Sequence, residues 1–138
     1  MPGPLEGLRI VDLTTMASGP LATSILADQG ADVIKVEAPG KGDALRTIGP
    51  SRGGLSALFT SLNRNKRSIA IDLHRPAGVA LLDRLVARAD VFVQNFRPGA
   101  VDRMGIGADR YRALHPELVY VSISGYGQRG PMVQRGVY

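Results

Sequence analysis

The stretch that decides the fold is LRIVDLTTMASGPLATSILADQGADVIKV, residues 8–36. Its two ends, residues 8–13 and 31–36, are short apolar runs typical of buried strands. Between them, a polar loop at residues 14–19 leads into a segment with helical spacing. Strand, helix and strand within 29 residues predict a βαβ unit, in which the strands are parallel and the crossover is right-handed.

The ends of this helix are also marked in the sequence. Ser18 is suited to the N-cap position and Pro20 to the first turn. Gln29 and Gly30 close the helix, because glycine tolerates the left-handed conformation that a helix C-terminus needs.

The rest of the chain continues the alternation. An eighteen-residue loop, residues 37–54, leaves the carboxyl end of the second strand, and loops of this length often have a function. Within it, Asp43 could start a short turn. We predict further helices at residues 55–62, 76–88, 100–104 and 110–114, and further strands at 69–73, 91–94 and 118–124. This alternation indicates an α/β fold with a mostly parallel sheet and helices on both faces.

The composition is that of an ordinary globular domain. With 138 residues, 44% of them hydrophobic and 21% charged, the chain can form one domain with its own core. It has no cysteine and two histidines, His74 and His115, which argues against a disulfide, a thiolate nucleophile and a zinc site. It contains neither an apolar run of membrane-spanning length nor a signal-peptide pattern. We therefore expect a cytoplasmic protein without a metal.

Charge is distributed unevenly along the chain. Residues 1–40 carry two basic and five acidic side chains, whereas residues 41–138 carry fifteen basic and seven acidic ones. The basic part favours an anionic partner, either a phosphorylated small molecule or a nucleic acid, although a generally arginine-rich surface would give the same composition. The densest cluster contains Arg64, Lys66 and Arg67. It is suited either to phosphate contacts or to a solvated approach to the predicted third strand.

One formal nucleotide-binding motif can be rejected. Residues 125–130, GYGQRG, fit G-x-G-x-x-G after a predicted strand. The motif should open a helix, but here it continues as loop, and the chain ends before the acidic residue expected about twenty positions later. The residues themselves assemble no nucleophile, base and orienting group.

Binding is better supported than catalysis. Candidate contacts fall at the predicted carboxyl ends of strands, at residues 16–18, 73–74 and 95–97, where open parallel sheets bind ligands. Backbone N–H groups at the start of the first helix could hold an anion, and Arg97 and Arg103 flank a glycine-containing turn. These features predict a cleft for an extended anionic ligand with apolar parts.

Several blocks of the sequence resemble one known family. They are PLEGLRIVDLT at residues 4–14, GADVIKVE at 30–37, NRNKRSIAIDL at 63–73, ADVFVQNFRPG at 89–99, DRMGIG at 102–107 and SISGYGQRGP at 122–131. In this order they are similar to the class III CoA-transferases, the CaiB–BaiF family, over essentially the whole chain. This family includes formyl-CoA transferase, carnitine CoA-transferase and alpha-methylacyl-CoA racemase.

The resemblance implies a single Rossmann-like CoA-binding domain over residues 1–138, which is the N-terminal part of a longer fold. It implies that CoA moves from an acyl-CoA to a carboxylic acid acceptor through an aspartyl-CoA thioester, after a carboxylate has attacked the thioester and formed a mixed anhydride. It further implies an interlocked homodimer of the full-length protein, with neither nucleic acid nor membrane as partner. The CoA contacts that it implies are Met16, Ala17, Ser18, Ile71, Asp72, Leu73, Asn95, Phe96, Arg97, Arg103 and Met104.

Three departures from the family pattern limit what is carried over. Family members are much longer, and their nucleophilic aspartate lies beyond the segment that matches Tyr138. We therefore assign no catalytic residue and expect the chain alone to be inactive. Ala17 stands where formyl-CoA transferase has a glutamine and Ala38 replaces a frequent arginine, which disfavours oxalate and formate. Tyr138 stands where the racemases have a catalytic histidine, which favours a transferase.

Other hypotheses stay open. One is an acyl-CoA racemase of the same family, which Tyr138 disfavours. A second is a basic nucleic-acid-binding module, which would need surface aromatics for stacking or a recognition helix. A third is a non-catalytic domain that only mediates dimerisation through an exposed apolar surface.

Overall fold

The computed structural model describes residues 3–136, and its core is a five-stranded sheet. The strands of this sheet are β1 (Arg9–Leu13), β2 (Asp32–Glu37), β5 (Lys66–Ala70), β6 (Val91–Gln94) and β7 (Val119–Ser122). Two short strands, β3 (Ser51–Arg52) and β4 (Leu55–Ser56), form a separate antiparallel hairpin. The helices are α1 (Ser18–Asp28), α2 (Ala57–Leu62), α3 (Pro76–Val86), α4 (Ala100–Arg103) and α5 (Ala108–Leu114), and a 3₁₀ turn spans Ala44–Arg46.

All neighbouring strands of the large sheet are parallel, in the order β5-β2-β1-β6-β7. From β1 the chain moves outward through β2 to β5, and then returns to the other side of β1 as β6. This is the strand order of a Rossmann-type half, and the reversal between β1 and β6 opens a crevice at the carboxyl ends of the strands. The predicted α/β fold with a mostly parallel sheet is confirmed.

The two faces of the sheet pack against different helices. On one face, Ile10 of β1 packs with Ala27 of α1. On the other, Val11 and Phe92 pack with Leu82 of α3. Helices therefore cover both faces, as the sequence predicts.

The first βαβ unit forms as predicted, with one correction at the start of the helix. Ala17 takes the N-cap position of α1 and Ser18 is the first helical residue, so Ser18 is not the N-cap. Pro20 lies in the first turn, where its missing N–H is not needed. At the other end Gly30 has a φ of 103°, in the left-handed region expected there.

The third strand of the sheet is shifted relative to the prediction. It was expected at residues 69–73, but β5 spans Lys66–Ala70. Its parallel register pairs Lys66 with Val33 and Ala70 with Glu37. Part of the basic cluster therefore lies within the strand itself, because the buried carboxylate of Asp12 neutralises Lys66. Residues 71–73, which were expected in the strand, form the loop that follows it.

The long loop after β2 contains more structure than expected. Asp43 starts the predicted short turn, since its side chain accepts a hydrogen bond from the backbone N–H of Leu45 at 3.0 Å. The hairpin of β3 and β4 was not predicted; Gly53 and Gly54 turn it with φ values of 58° and 79°. The helix predicted at residues 110–114 begins two residues earlier, because α5 spans Ala108–Leu114 with Gly107 at its N-cap.

Two further predictions concern the chain ends and membranes. Tyr138, on which the prediction of a transferase rather than a racemase depends, lies outside the described residues. Within residues 3–136, no helix has both the length and the apolar character required to cross a membrane.

Candidate functional site

A cavity of about 400 Å³ opens at the carboxyl ends of β1, β2 and β5. Leu13, Val36 and Ile71 are among its lining residues, and most of the lining is apolar. The loop after β1 contributes Thr14 and Thr15. The volume of the cavity falls in the range of ordinary small-molecule sites, about 300–1,000 Å³. The cavity also lies where an open parallel sheet binds ligands.

A second cavity, of about 500 Å³, adjoins the first. The two share Leu73, His74 and Met104 in their linings. The second is more polar and includes Arg75 and Arg103. An elongated ligand with an apolar part and an anionic part would therefore find both environments side by side.

The structure brings about half of the predicted contact residues to these cavities. Ile71, Asp72, Leu73, Phe96 and Met104 line the first cavity, and Leu73, Arg103 and Met104 line the second. Met16, Ala17, Ser18, Asn95 and Arg97 line neither. Met16 and Ala17 follow the lining residue Thr15 in the loop after β1, and Ser18 begins α1. Asn95 and Arg97 flank the lining residue Phe96 in the loop after β6.

Asn95 joins the two loops at the point where the strand order reverses. Its side-chain oxygen accepts the backbone N–H of Thr15 at 2.9 Å, and its side-chain nitrogen donates to the carbonyl of Thr15 at 2.8 Å. Both polar ends of this amide are thus engaged within the protein. Asn95 holds the rim of the crevice together.

A buried ion pair fixes β5 and α1 to β1. Lys66 Nζ lies 3.0 Å from Asp12 Oδ2 and also donates to the carbonyl of Pro20 at 2.8 Å. Burial alone would raise the pKa of Asp12, but Lys66, Lys35 and the hydroxyls of Thr14 and Thr23 together hold it below its ordinary value. Burial lowers the pKa of Lys66, partly offset by Asp12. The pair is structural, since neither side chain lines a cavity.

A second ion pair connects the long loop to β2. Lys35 Nζ lies 2.9 Å from Asp43 Oδ2, and both side chains are buried. Lys35 also donates to the carbonyl of Thr14 at 2.8 Å. Asp43 lines the first cavity, so this pair lies at the wall of the candidate site.

Glu37, at the end of β2, organises the same loop. Its carboxylate accepts two hydrogen bonds from Arg46, at 2.7 Å each, one from the backbone N–H of Asp43 at 2.9 Å and one from Ser68 at 2.7 Å. Although burial opposes its ionisation, these donors hold the pKa of Glu37 at about 2. Arg46 in turn lies over the ring of Phe59, 3.8 Å from its centroid.

Sequence reasoning missed Glu37 and Asp43 as cavity residues, whereas His74, expected among the contacts at residues 73–74, lines both cavities. A signal for the two missed residues was present: Lys35 and Glu37 interrupt an apolar strand that has neighbours on both sides. Charged side chains in such a strand are buried only with partners, and the long loop that follows was the nearest place to look for them.

The structure does not support phosphate binding by the basic cluster. Arg64 pairs with Asp28, and Arg67 makes two 2.7 Å contacts to Asp32. These carboxylates lie at the amino-terminal edge of the sheet, opposite the cavities, and Lys66 is buried with Asp12.

The nucleic-acid alternative would need several exposed aromatic side chains, but within residues 3–136 only that of Tyr126 is exposed. Phe92, Tyr111 and Tyr120 pack together in the core with ring centroids 5.1–6.3 Å apart. Residues 125–130 form a loop, as predicted, so the G-x-G-x-x-G match lacks the helix that a dinucleotide fingerprint opens. Among residues 3–136, no group of three or more His, Asp or Glu side chains could hold a metal ion.

Comparison with known proteins places these features in one family. The model of CoA-transferase family III matches residues 5–138. The chain is 49% identical over 136 residues to succinyl-CoA:glutarate CoA-transferase of Homo sapiens, covering 98% of this chain and 31% of that protein. It is 43% identical over 136 residues to acetyl-CoA:oxalate CoA-transferase of Acetobacter aceti, covering 99% of this chain and 35% of that protein.

A solved structure agrees with the sequence matches. The crystal structure of a CAIB/BAIF family protein from Brucella suis superposes with a TM-score of 0.94 at 43% identity, covering all of this chain and 38% of that one. The chain thus spans about a third of the length of the curated relatives it matches. Because the family model covers nearly every residue, the resemblance seen in the sequence is confirmed, and the chain belongs to CoA-transferase family III.

Proposed function

We propose that this chain is the CoA-binding portion of an enzyme that transfers CoA from an acyl-CoA to a carboxylic acid through an aspartyl-CoA thioester. Family membership supports the reaction class, and the relatives named above are CoA-transferases. The substrate acids stay open, and the prediction that Ala17 and Ala38 disfavour oxalate and formate is part of the proposal.

The nucleophilic aspartate is assigned to a part of the enzyme outside this chain. The two aspartates that line the first cavity already have structural partners. Asp43 is paired with Lys35, and Asp72 accepts the backbone N–H of His74 at 3.0 Å. Neither is presented as a free carboxylate for attack on a thioester.

The observation that carries the proposal is the pair of adjoining cavities. CoA joins a long, uncharged pantetheine arm to a phosphorylated nucleotide. The apolar first cavity suits the arm, and the guanidinium groups of Arg75 and Arg103 in the second suit phosphate oxygens. We assign Met16, Ala17 and Ser18, which lead into the N-terminus of α1, to the rim of the same site.

Three finer points belong to the same proposal. The chain acts as one Rossmann-like domain of the longer fold, the full-length enzyme is an interlocked homodimer, and it works in the cytoplasm. The family resemblance supports the first two, and the composition supports the third.

A thermal melt of this chain with and without CoA tests the proposal. At a CoA concentration one hundred times Kd, mass action adds about 2.7 kcal/mol and raises the midpoint by on the order of 10 °C for a chain of this size. NAD serves as the control ligand, because it is also a large phosphorylated nucleotide. A cooperative melt that CoA leaves unmoved, or that NAD raises equally, would refute a CoA site.

A pair of variants locates the site. Arg103→Ala removes a guanidinium from the second cavity and should reduce the CoA-induced shift. Arg112→Ala removes an equally exposed guanidinium from α5, away from both cavities, and should leave the shift unchanged. Equal shifts for the two variants would place the ligand elsewhere.

A further inference from the structure

One residue beside the first cavity has a backbone conformation that its side chain disfavours. Met16 has a φ of 63°, in the left-handed region that side chains other than glycine rarely adopt. It directly follows Thr14 and Thr15, which line the cavity. Such outliers persist only where surrounding contacts hold them.

Asp43 supplies the contacts that hold this conformation. Its Oδ1 accepts the backbone N–H of Met16 at 3.1 Å and that of Leu45 at 3.0 Å. Its Oδ2 lies 2.9 Å from Lys35 Nζ, and Lys35 donates to the carbonyl of Thr14 at 2.8 Å. Lys35 and Asp43 therefore bind the backbone on both sides of Thr15, at the carbonyl of Thr14 and at the N–H of Met16.

We propose that Lys35 and Asp43 are positioning residues, which hold the loop of residues 14–17 in the conformation that forms one wall of the ligand cavity. The inference rests on the proposed function in taking CoA as the ligand of that cavity. It gives a role to the long loop after β2, because that loop delivers the Asp43 carboxylate to a backbone N–H that follows β1.

The alternative is that the pair only stabilises the fold. Replacing both members of a buried ion pair with neutral groups is often neutral for stability, because the desolvation of two charges offsets their attraction. A pair retained for stability alone would therefore be replaceable by any neutral pair. A pair that positions the loop would not be replaceable in this way, because the hydrogen bond from the Met16 N–H requires an oxygen acceptor at residue 43.

Two double variants separate these roles. Lys35→Met with Asp43→Asn removes both charges and keeps a side-chain oxygen for the Met16 N–H. Lys35→Met with Asp43→Ala removes both charges and the acceptor. The variant with alanine loses the acceptor for the N–H groups of both Met16 and Leu45. We expect it to bind CoA about tenfold more weakly than the variant with asparagine. Hydrogen exchange at the Met16 amide should be faster in the alanine variant.

Controls and outcomes complete the design. Asp32→Asn makes the same chemical change at the amino end of β2, where Asp32 pairs with Arg9 and Arg67, and should leave CoA affinity and Met16 exchange unchanged. Equal CoA affinity and equal Met16 exchange in the two double variants would overturn the inference. If the wild-type chain fails to bind CoA, the proposed function fails instead. The exchange comparison then decides the inference alone: faster exchange with alanine supports it, and equal exchange refutes it.

Discussion

The carboxylate of Glu37 offers a direct test of how charge holds the cavity loop. The side chain is only 4% exposed and accepts four hydrogen bonds, two of them from the guanidinium of Arg46. Substitution of Glu37 by Gln keeps the size of the side chain but removes its charge, and it turns an NH₂ group toward donors. We expect this variant to be destabilised, and the loss to depend on pH in a defined direction.

The size of the expected loss in stability follows from the pKa of Glu37, which is lowered from 4.5 to about 2. A carboxyl group with a depressed pKa stabilises the fold above its unfolded pKa, and this stabilisation is lost as the pH falls from about 4.5 toward 2. The lowered pKa corresponds to about 3 kcal/mol of stabilisation at pH 7. About 2 kcal/mol of it is lost by pH 3.

Urea unfolding of the wild type and the Glu37→Gln variant, at pH 7 and at pH 3, measures the contribution of the Glu37 carboxylate to the free energy of unfolding. The difference in free energy of unfolding should be about 3 kcal/mol at pH 7 and about 1 kcal/mol at pH 3. The control is Glu117→Gln, an exposed glutamate whose loss should change stability by less than about 0.5 kcal/mol. A difference between wild type and Glu37→Gln that is the same at both pH values would refute the assignment of Glu37 as a stabilising carboxylate.

Three further substitutions test other parts of the architecture. Asp12→Asn leaves the buried Lys66 ammonium without its carboxylate and should cost about 3–5 kcal/mol in urea unfolding, most of it recovered when Lys66→Met is added. Gly78→Ala would place a Cβ 1.9 Å from the carbonyl oxygen of Asp72, so it should displace the loop after β5 and weaken CoA binding as measured by calorimetry. Asn95→Ala removes both bonds between the loops of β1 and β6 and should lower the free energy of unfolding by about 2 kcal/mol, with a parallel loss of CoA affinity.

Local patterns in the sequence were sufficient for the architecture. The run of residues 8–36 specifies strand, loop, helix and strand by apolar length and helix-ending residues alone, and α1 ends at Asp28, just before the predicted closing residues Gln29 and Gly30. Parallel pairing then follows from the crossover rule, and parallel strands bring their carboxyl ends to one edge. This is why residues 73, 74 and 96 could be predicted to lie near one cavity from the strand ends alone, whereas residues 71, 72 and 104 were implied by the family resemblance.

Ion pairs between residues far apart in the chain could not be predicted from these local patterns. Lys66 looked like part of a solvated basic cluster because its carboxylate partner, Asp12, lies 54 positions earlier in the chain. The strand was therefore placed three residues late. Asp43 looked like a simple turn residue, although its other carboxylate oxygen is buried against Lys35. Asn95 was predicted to contact ligand, but its amide closes on the backbone of Thr15.

The buried lysines and their carboxylate partners lie on the face of the sheet that packs against α1, and this location explains why charged groups are buried there. The face of the sheet against α3 is filled by aromatic and aliphatic groups such as Phe92 and Tyr111, while the face against α1 carries Asp12, Lys35 and Lys66. Apolar contacts are non-directional, so a loop held by them alone could settle in several positions. An ammonium group that reaches a carboxylate and a backbone carbonyl fixes direction as well as distance, and both lysines do so next to the loop after β1. Neutral replacement of the Lys35–Asp43 pair, which lies at the cavity wall, should therefore disturb ligand binding more than stability, which is the opposite of what substitutions in the aromatic face should do.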